Sequence, residues 1–481
     1  MSSRAVRAVA AATIVAAALA ALPSSAASPT PEPTAVSAVA TAGSAGVGDR
    51  YWPLDGNGGI DVRHYDIDVD YDFLTGRLVS TTELTLRATR DLSRFNLDLL
   101  SRPSTVTVDG VVADFDLVAG HELQITPATA LTSGEDSVVV VAINSRPSEL
   151  TYAGESNWLA DGDEVVTMNQ PHMAPWWFAA NDHPMDKATF DVAITGPVTH
   201  QAVSNGLLVG RTVTGLRATT RWRSTRPMAS YLAFFALGRY EVASGINRGL
   251  PWYTAVSTRL GDDAREASTV LIKRSPTITA WLADQLGAYP FESTGGLVTA
   301  LPVGFALENQ TRPTYPALYP GAVNYVVHEL AHQWFGDSVA VRRWRDIWLN
   351  EGPATFFEAY YRETHGGVQA QEWLRNTYAK WVDTDIFWQL DISDPGADRL
   401  FANAVYVRGG MAIQALRQRL GDHDFWRLLR TWVRERKHGQ GTTEAFEALA
   451  ERIGDRQLDG FFDAWLRAPK PPKQTQANGL R

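Results

Sequence analysis

The feature that most constrains the fold is the histidine pair in the segment His328-Glu329-Leu330-Ala331-His332. Residues four positions apart lie one above the other on a helix, so a helical segment lets both imidazoles reach one metal ion, at about 2.0–2.1 Å for zinc. Apolar residues around the motif recur at steps of three and four: Val323, Val326, Val327, Leu330, Ala331 and Trp334. This spacing predicts an amphipathic helix that buries one face and carries two metal ligands on the other.

Glu351, in Asn350-Glu351-Gly352, is the predicted third ligand and follows His332 after eighteen intervening residues. Alone, this glutamate would more often be an ordinary carboxylate on a helix surface. The histidine pair upstream reverses that preference. Three protein ligands leave a fourth tetrahedral position for water, whose pKa zinc lowers to about 7. The pattern is therefore typical of a hydrolytic metal site.

Glu329 is the predicted general base of this site. It is rotated about 100° around the helix axis from His328, so it faces the cleft beside the metal and does not compete as a ligand. There it can take a proton from the attacking water and deliver it to the departing amine. A metzincin would place a glycine and a third histidine soon after His332, but Phe335 and Ser338 stand there. These residues predict a metallopeptidase of another class.

With these metal ligands and this base, the chain resembles the aminopeptidase N-type zinc aminopeptidases, which are gluzincins. The segments His328–Gly336 and Trp344–Gly352 are similar to the family's metal-binding block and to the block that carries its third ligand. The resemblance covers nearly all of the chain after its N-terminal segment. It implies one Zn²⁺ per chain, peptide substrates with a free N-terminus, and hydrolysis of the first peptide bond.

The family's amine-recognition motif, Gly-x-Met-Glu-Asn, is represented by the segment from Phe305 to Asn309. The resemblance implies that Glu308 and Asn309 bind substrate, with Glu308 pairing with the substrate ammonium. A carboxylate at a fixed distance from the metal lets only the first peptide bond reach it. Phe305 and Leu307 replace the glycine and the methionine. That departure concerns the loop conformation and the shape of the first subsite, and it leaves the anionic anchor in place.

Three further side chains are predicted to belong to the site. By resemblance, Gln170 in Thr167–Pro171 is a second ligand of the substrate amine, with an edge-strand amide as the alternative. Tyr406 resembles the family's tyrosine that donates a hydrogen bond to the oxyanion, with a core tyrosine as the alternative. Glu358, two helical turns beyond Glu351, is a candidate acceptor for a ligating imidazole or else a solvated acid.

The pattern of the chain predicts a multidomain protein. Residues 60 to about 245 alternate as strands do, as in Tyr65, Ile67, Val69 and Tyr71, whereas helical spacing prevails beyond Gly249. The predicted fold is an N-terminal antiparallel β-sandwich, residues 51–247, followed by a mainly α, thermolysin-like (α+β) metallopeptidase domain, residues 248–469, and a polar tail, residues 470–481. The large C-terminal helical domain of many relatives is not expected, since little chain follows Tyr406, and this predicts an open cleft.

The N-terminal residues predict export. Arg4 and Arg7 precede an alanine-rich apolar run, and small residues suited to signal peptidase follow, which is typical of a signal peptide over residues 1–27. Residues 28–50, rich in Pro, Ala, Ser, Thr and Gly, predict a flexible linker. We therefore expect a secreted or extracytoplasmic protein without a stable membrane anchor. The chain has no cysteine, so no disulfides contribute.

The amino-acid composition and the predicted metal site exclude most other classes of function. The net charge of −9 argues against nucleic-acid binding, which usually shows as a basic surface. A zinc endopeptidase remains an alternative, because metal and base alone do not choose between chain ends and interiors. A catalytically silent, aminopeptidase-like binding protein is the other, although the ligands and the base are all present. The preferred N-terminal residue and the oligomeric state do not follow from the sequence.

Overall fold

The computed structural model describes residues 39–481. The predicted signal peptide, residues 1–27, and the linker as far as residue 38 lie outside the described residues. Between residues 39 and 481, none of the helices combines the length and the apolar character that a membrane span requires.

The first half of the described chain is built from strands. In chain order they are β1 Thr41–Ala42, β2 Ser44–Ala45, β3 Asn57–Gly58, β4 Ile60–Asp72, β5 Arg77–Ala88, β6 Leu92–Asp98, β7 Thr105–Val108, β8 Val111–Val112, β9 Asp114–Val118, β10 Glu122–Thr126, β11 Asp136–Ser145, β12 Leu159–Ala160, β13 Val165–Val166, β14 Lys187–Pro197, β15 Gln201–Ser204, β16 Leu207–Thr214, β17 Arg217–Ala229 and β18 Phe235–Gly238. They form an eight-stranded sheet in the order β16-β17-β14-β4-β5-β11-β7-β8, four-stranded sheets β1-β6-β10-β9 and β12-β13-β18-β15, and the pair β2-β3.

The predicted alternation along β4 is confirmed. Tyr65, Ile67 and Val69 are buried, while the aspartates between them face outward. This is how a strand behaves when it covers a core with one face and meets water with the other. Within residues 51–247 the antiparallel prediction is wrong for one pair, because β14 runs parallel to β4. Strand β1, which precedes the predicted sandwich, also pairs in parallel, with β6. Sequence alternation does not distinguish these directions, since the side-chain period is the same in both.

The linker prediction is wrong for residues 41–50, which pack against the strand-rich first half, hereafter the β-domain (β3 to β18, residues 57–238), and contact Trp344 in the second half. Strand β1 pairs with β6, and β2 pairs with β3. Asp49 is buried and accepts a hydrogen bond from the backbone N–H of Trp344 at 2.9 Å. Small residues permit this close packing, so a composition that is usual in flexible linkers here forms an ordered arm.

The second half begins with a small sheet and continues as helices. Its strands are β19 Tyr240–Asn247, β20 Leu250–Ser257, β21 Thr294–Val298, β22 Thr314–Tyr315, β23 Ala340–Val341 and β24 Gln440–Gly441. Its helices are α1 Asp262–Ile272, α2 Ser275–Leu286, α3 Val323–Ala331, α4 Trp348–Thr364, α5 Ala370–Trp381, α6 Asp385–Trp388, α7 Asn403–Leu420, α8 Asp422–Glu435, α9 Thr443–Gly454 and α10 Asp459–Phe462. Because β19 pairs with β20 in the sheet β19-β20-β21-β22, the predicted domain boundary at 247/248 falls inside a hairpin of this sheet, which begins at Tyr240.

The C-terminal residues pack onto the helices. The predicted apolar stripes of α8 and α9 are buried at Phe425, Trp432 and Phe446. The predicted polar tail lies on this core, since the Trp465 indole N–H donates to the carbonyl of Asn478 at 3.0 Å and Leu480 is buried. The tail is therefore part of the folded domain.

Lys187 at the start of β14 connects the two halves. Its Nζ donates to the carbonyl oxygens of Asp337, Ser338 and Gly439 at 2.7, 3.0 and 3.2 Å. Asp337 and Ser338 lie shortly after the histidine pair. The β-domain thereby holds the segment that follows the predicted metal ligands.

Helices α4 and α7 meet at glycines. A Cβ at Gly409 would lie 2.9 Å from the Cα of Gly352, the residue after Glu351. Gly409→Ala should therefore lower the free energy of unfolding by about 1–3 kcal/mol, measured by urea denaturation, even though helix propensity alone favours alanine by about 1 kcal/mol. The control is Gly460→Ala in α10, where the added methyl group meets open space. Equal stability of the two variants would contradict a tight crossing.

Candidate functional site: a buried cluster of two histidines and a glutamate

Helix α3 positions the histidine pair as its sequence predicts. Val326, Val327 and Leu330 are fully buried, which fixes the rotation of the helix. His328 lies in its last turn, and His332 follows directly after its last residue with helical backbone angles. Both imidazoles consequently point to one side.

Glu351 comes from the first turn of α4 and completes the cluster. One carboxylate oxygen, Oε2, lies 3.3 Å from Nε2 of His328 and 3.3 Å from Nε2 of His332. Ligands about 2.1 Å from a tetrahedral zinc ion are separated by about 3.4 Å. Both distances from Glu351 match this spacing, the three ligand atoms all lie within 4.8 Å of one another, and all three side chains are buried, so the cluster suits a zinc ion.

The other nitrogen of each imidazole is also engaged. His328 Nδ1 lies 2.9 Å from Oε1 of Glu358, and His332 Nδ1 lies 3.0 Å from the carbonyl oxygen of Phe335. An Nδ1–H that donates to such an acceptor leaves the Nε2 lone pair free for a metal and orients the ring. The predicted contact of Glu358 with a ligating imidazole is therefore present.

The two carboxylates beside the histidines differ in pKa. Burial opposes ionisation of Glu351, but His332 and His328 outweigh this and lower its pKa, as befits a ligand. Burial raises the pKa of Glu329 to about 7, against the opposing effect of His328 and His332. Glu329 lines the cleft together with His328 and Tyr406, so it faces the position that a substrate would occupy.

Glu308 lies in the adjoining interior and has neutral partners. Its Oε1 accepts hydrogen bonds from Nε2 of Gln170 at 3.0 Å and from the hydroxyl of Tyr231 at 3.1 Å. Between residues 39 and 481 no arginine or lysine forms an ion pair with it. Burial raises its pKa, and the nearby His332 opposes that rise. A buried carboxylate in these surroundings is stabilised by a cationic ligand.

The rest of the predicted recognition segment is well ordered. Asn309 is buried and donates from Nδ2 to the carbonyl of Leu232 at 3.1 Å. Leu307 is buried and exchanges two 2.8 Å backbone hydrogen bonds with Thr314, whereas Phe305 is partly exposed and lines the cleft. The replacements for the family's glycine and methionine thus have different consequences: Leu307 fills the interior, and Phe305 adds an aromatic surface to the cleft.

Tyr406, in the first turn of α7, also faces the cleft. Its ring is stacked near that of His328, with centroids 6.1 Å apart and planes 23° from parallel. Burial raises the pKa of its hydroxyl well above the usual value, and the negative charges of Glu351 and Glu308 add to this. The phenol keeps its proton at neutral pH and is available as a donor.

Two residues of the site were not predicted from the sequence. Tyr231 bonds Glu308 from a short helical turn of the β-domain, and nothing in its local sequence indicates that contact. Gln333 donates from Nε2 to the carbonyl of Glu308 at 3.1 Å and accepts the N–H of Thr311 at 2.7 Å. Its position next to His332 was the available signal. Gln333 connects the metal-ligand helix to the recognition segment.

Comparisons with known proteins agree with this geometry. The Peptidase family M1 domain matches residues 294–465, and the Peptidase M1 N-terminal domain matches residues 120–232. Human glutamyl aminopeptidase is 25% identical over 63% of this chain and 34% of its own length. Tricorn protease-interacting factor F2 of Thermoplasma acidophilum is 21% identical over 85% of this chain and 54% of its own length. The chain thus spans about half or less of the curated relatives that it matches.

The similarity to solved structures extends over both domains. A crystal structure of a mutant M1 zinc metallopeptidase from Deinococcus radiodurans, bound to a Tyr-Ser-Ala substrate, superposes with a TM-score of 0.80 at 26% identity. The alignment covers 89% of this chain and all of that one. The two matched domains together account for more than half of the 481 residues, and the metal-ligand geometry is complete. The chain therefore belongs to peptidase family M1, whose solved members similar to it are two-domain zinc metallopeptidases.

Proposed function

We propose that the protein is a zinc-dependent aminopeptidase that hydrolyses the N-terminal peptide bond of peptides. The observation that carries this proposal is Glu308, a buried carboxylate with neutral hydrogen-bond partners next to the metal ligands. A free peptide N-terminus is a cation of the right size to pair with it. Pairing would fix the distance from the end of the chain to the ion and thereby select the first peptide bond.

The residues divide the chemistry among them. His328, His332 and Glu351 would hold the ion, which when bound supplies Lewis acidity to the scissile carbonyl and the attacking water. Glu329 takes the proton of that water and transfers it to the departing amine. Tyr406 donates a hydrogen bond to the oxygen that becomes negative in the transition state. Gln170, Glu308 and Asn309 position the substrate.

The relatives support the choice of substrate. Glutamyl aminopeptidase carries its activity in its name, and the Deinococcus radiodurans structure holds a tripeptide. Phe305 lines the cleft together with Trp373 and Trp381, and these rings offer an apolar surface to a substrate side chain. We also propose that the protein is exported, on the strength of the signal-peptide pattern in residues 1–27.

Blocking the substrate N-terminus tests the proposal against the endopeptidase alternative. Wild-type protein should cleave aminoacyl amides with a free amine and fail on their N-acetylated forms. Glu308→Ala should lower kcat/KM for the free amines roughly thirtyfold or more, because the ammonium loses its charged partner. This factor corresponds to a loss of about 2 kcal/mol of transition-state stabilisation. Initial rates over a range of substrate concentrations measure both effects.

Glu372→Ala is the matched control, because it removes an exposed glutamate from α5. It should behave as wild type does. Cleavage of acetylated and free substrates at similar rates would instead establish an endopeptidase. Absence of hydrolysis on every peptide, with the ion bound, would favour a silent binding protein.

A further inference from the structure

A second group of potential metal ligands lies in the β-domain. Asp98 ends β6, Glu122 begins β10, and His121 precedes it in the β9–β10 turn. In the antiparallel β6–β10 pair, Asp98 and Glu122 are directly opposite each other. Like charges in directly opposed positions destabilise a sheet. All three side chains are nonetheless about 1% exposed.

One oxygen of each carboxylate, Oδ2 of Asp98 and Oε2 of Glu122, accepts hydrogen bonds. Asp98 Oδ2 accepts from Nδ2 of Asn57 at 3.1 Å and from the backbone N–H of Asp182 at 2.7 Å. Glu122 Oε2 accepts from Nδ2 of Asn96 at 2.8 Å. These contacts hold the carboxylates in place and determine where their remaining oxygens point.

The other oxygen of each carboxylate lies near His121 and accepts no hydrogen bond from the described residues. Asp98 Oδ1 and Glu122 Oε1 have no hydrogen-bond partner among the described residues. Each lies 3.7 Å from Nε2 of His121, which also lies 3.4 Å from the carbonyl oxygen of Leu54. Buried oxygens without donors cost free energy, and three ligand atoms this close suit a shared ion.

The charge around the cluster is also unbalanced. Asp55 and Asp182 are also buried, and both lie near enough to act on Asp98 as negative charges. His172 pairs with Asp55 at 2.6 Å, but within residues 39–481 no lysine or arginine pairs with Asp98 or Glu122. A divalent cation would supply the missing positive charge.

We propose that Asp98, His121 and Glu122 form a second, structural site for a divalent cation, separate from the catalytic cluster. Nε2 of His121 lies 3.7 Å from each carboxylate oxygen, and the three candidate ligand atoms all lie within 4.8 Å of one another. Ligands of a tetrahedral zinc ion are separated by about 3.4 Å, so binding an ion would draw these atoms inward. One imidazole and two carboxylates suit Zn²⁺ or Mn²⁺ better than Ca²⁺, which prefers oxygen ligands throughout. The carbonyl oxygen of Leu54, 3.4 Å from Nε2 of His121, can accept the Nε2–H when no ion is bound, and an ion would displace that proton. The ion would fasten the end of β6 to the start of β10.

Counting bound ions tests this site independently of any peptidase activity. The parent is the full chain with His328→Ala and His332→Ala, in which the catalytic cluster is disabled. After treatment with a chelator, it is given Zn²⁺, Mn²⁺ or Ca²⁺ separately, desalted, and analysed by native mass spectrometry and elemental analysis. We expect one Zn²⁺ or Mn²⁺ per parent chain and two ions per wild-type chain.

Adding Asp98→Asn and Glu122→Gln to the parent should reduce the count to zero. The matched control adds Asp114→Asn and Asp116→Asn, which neutralise two exposed aspartates of the adjoining strand β9 and should leave one ion. For wild-type crystals, diffraction above and below the zinc absorption edge should show an anomalous peak between Asp98, His121 and Glu122, whether or not the variants fold.

Three results would overturn the proposal. The first is a parent chain that binds none of the three cations, which would mean that the carboxyl groups are protonated instead. The second is an ion that persists after Asp98→Asn and Glu122→Gln. The third is a zinc-loaded wild-type crystal without an anomalous peak at this position.

Discussion

Replacing Glu329 with glutamine is expected to lower kcat by about 10²–10⁴-fold while the bound ion is retained. The amide has the shape of the carboxylate but cannot accept the proton of the attacking water. His328, His332 and Glu351 are untouched, so metal affinity should remain close to that of wild type. Steady-state kinetics on an aminoacyl amide, together with metal analysis of the same sample, measure the two quantities.

Glu266→Gln provides the control for this substitution, because it alters an exposed glutamate of α1. Its kcat should equal that of wild type. If Glu329→Gln keeps more than about a tenth of the wild-type kcat, another group accepts the proton and the assignment fails. If the ion is lost as well, Glu329 contributes to binding it.

Glu351→Ala is expected to abolish both the catalytic ion and the activity. Its Oε2 is 3.3 Å from both imidazole nitrogens, so its removal leaves two neutral ligands and no charge to balance the cation. Loss of the ion removes several kcal/mol of transition-state stabilisation, or about three powers of ten in rate. Elemental analysis should find one ion fewer per chain than in wild type.

Glu358→Gln is the control for this prediction, because it should weaken metal binding without removing a ligand. It changes the residue behind His328 and not a ligand, so metal affinity should fall by about 10–100-fold and excess zinc should restore activity. Glu351→Ala should not be rescued in this way. Equal rescue of both variants by added zinc would show that Glu351 is dispensable as a ligand.

The sequence predicted the parts of the fold and site that depend on local spacing. The four-residue step from His328 to His332 and the apolar face of α3 follow from helical periodicity alone. The alternation in β4 likewise predicted which residues are buried. Both patterns are set within one element, so no knowledge of distant contacts was needed.

Features that depend on distant pairing were not predictable in the same way. The hydrogen bonds from Gln170 and Tyr231 to Glu308 join residues 138 and 77 positions apart. The cluster of Asp98, His121 and Glu122 arises from the register of β6 and β10, which no local pattern specifies. The parallel β4–β14 pair and the packed arm before residue 51 also depend on distant contacts.

The contacts of Glu308 show that two parts of the chain contribute differently to the site. The side chains that hold its carboxylate, Gln170 and Tyr231, belong to the β-domain, whereas the helices provide the ligands and the base. Substitutions at Gln170 or Tyr231 can therefore change how the carboxylate of Glu308 is held without altering the metal ligands or the base. The anchoring of the substrate end and the hydrolysis itself are thus separately adjustable parts of one molecule.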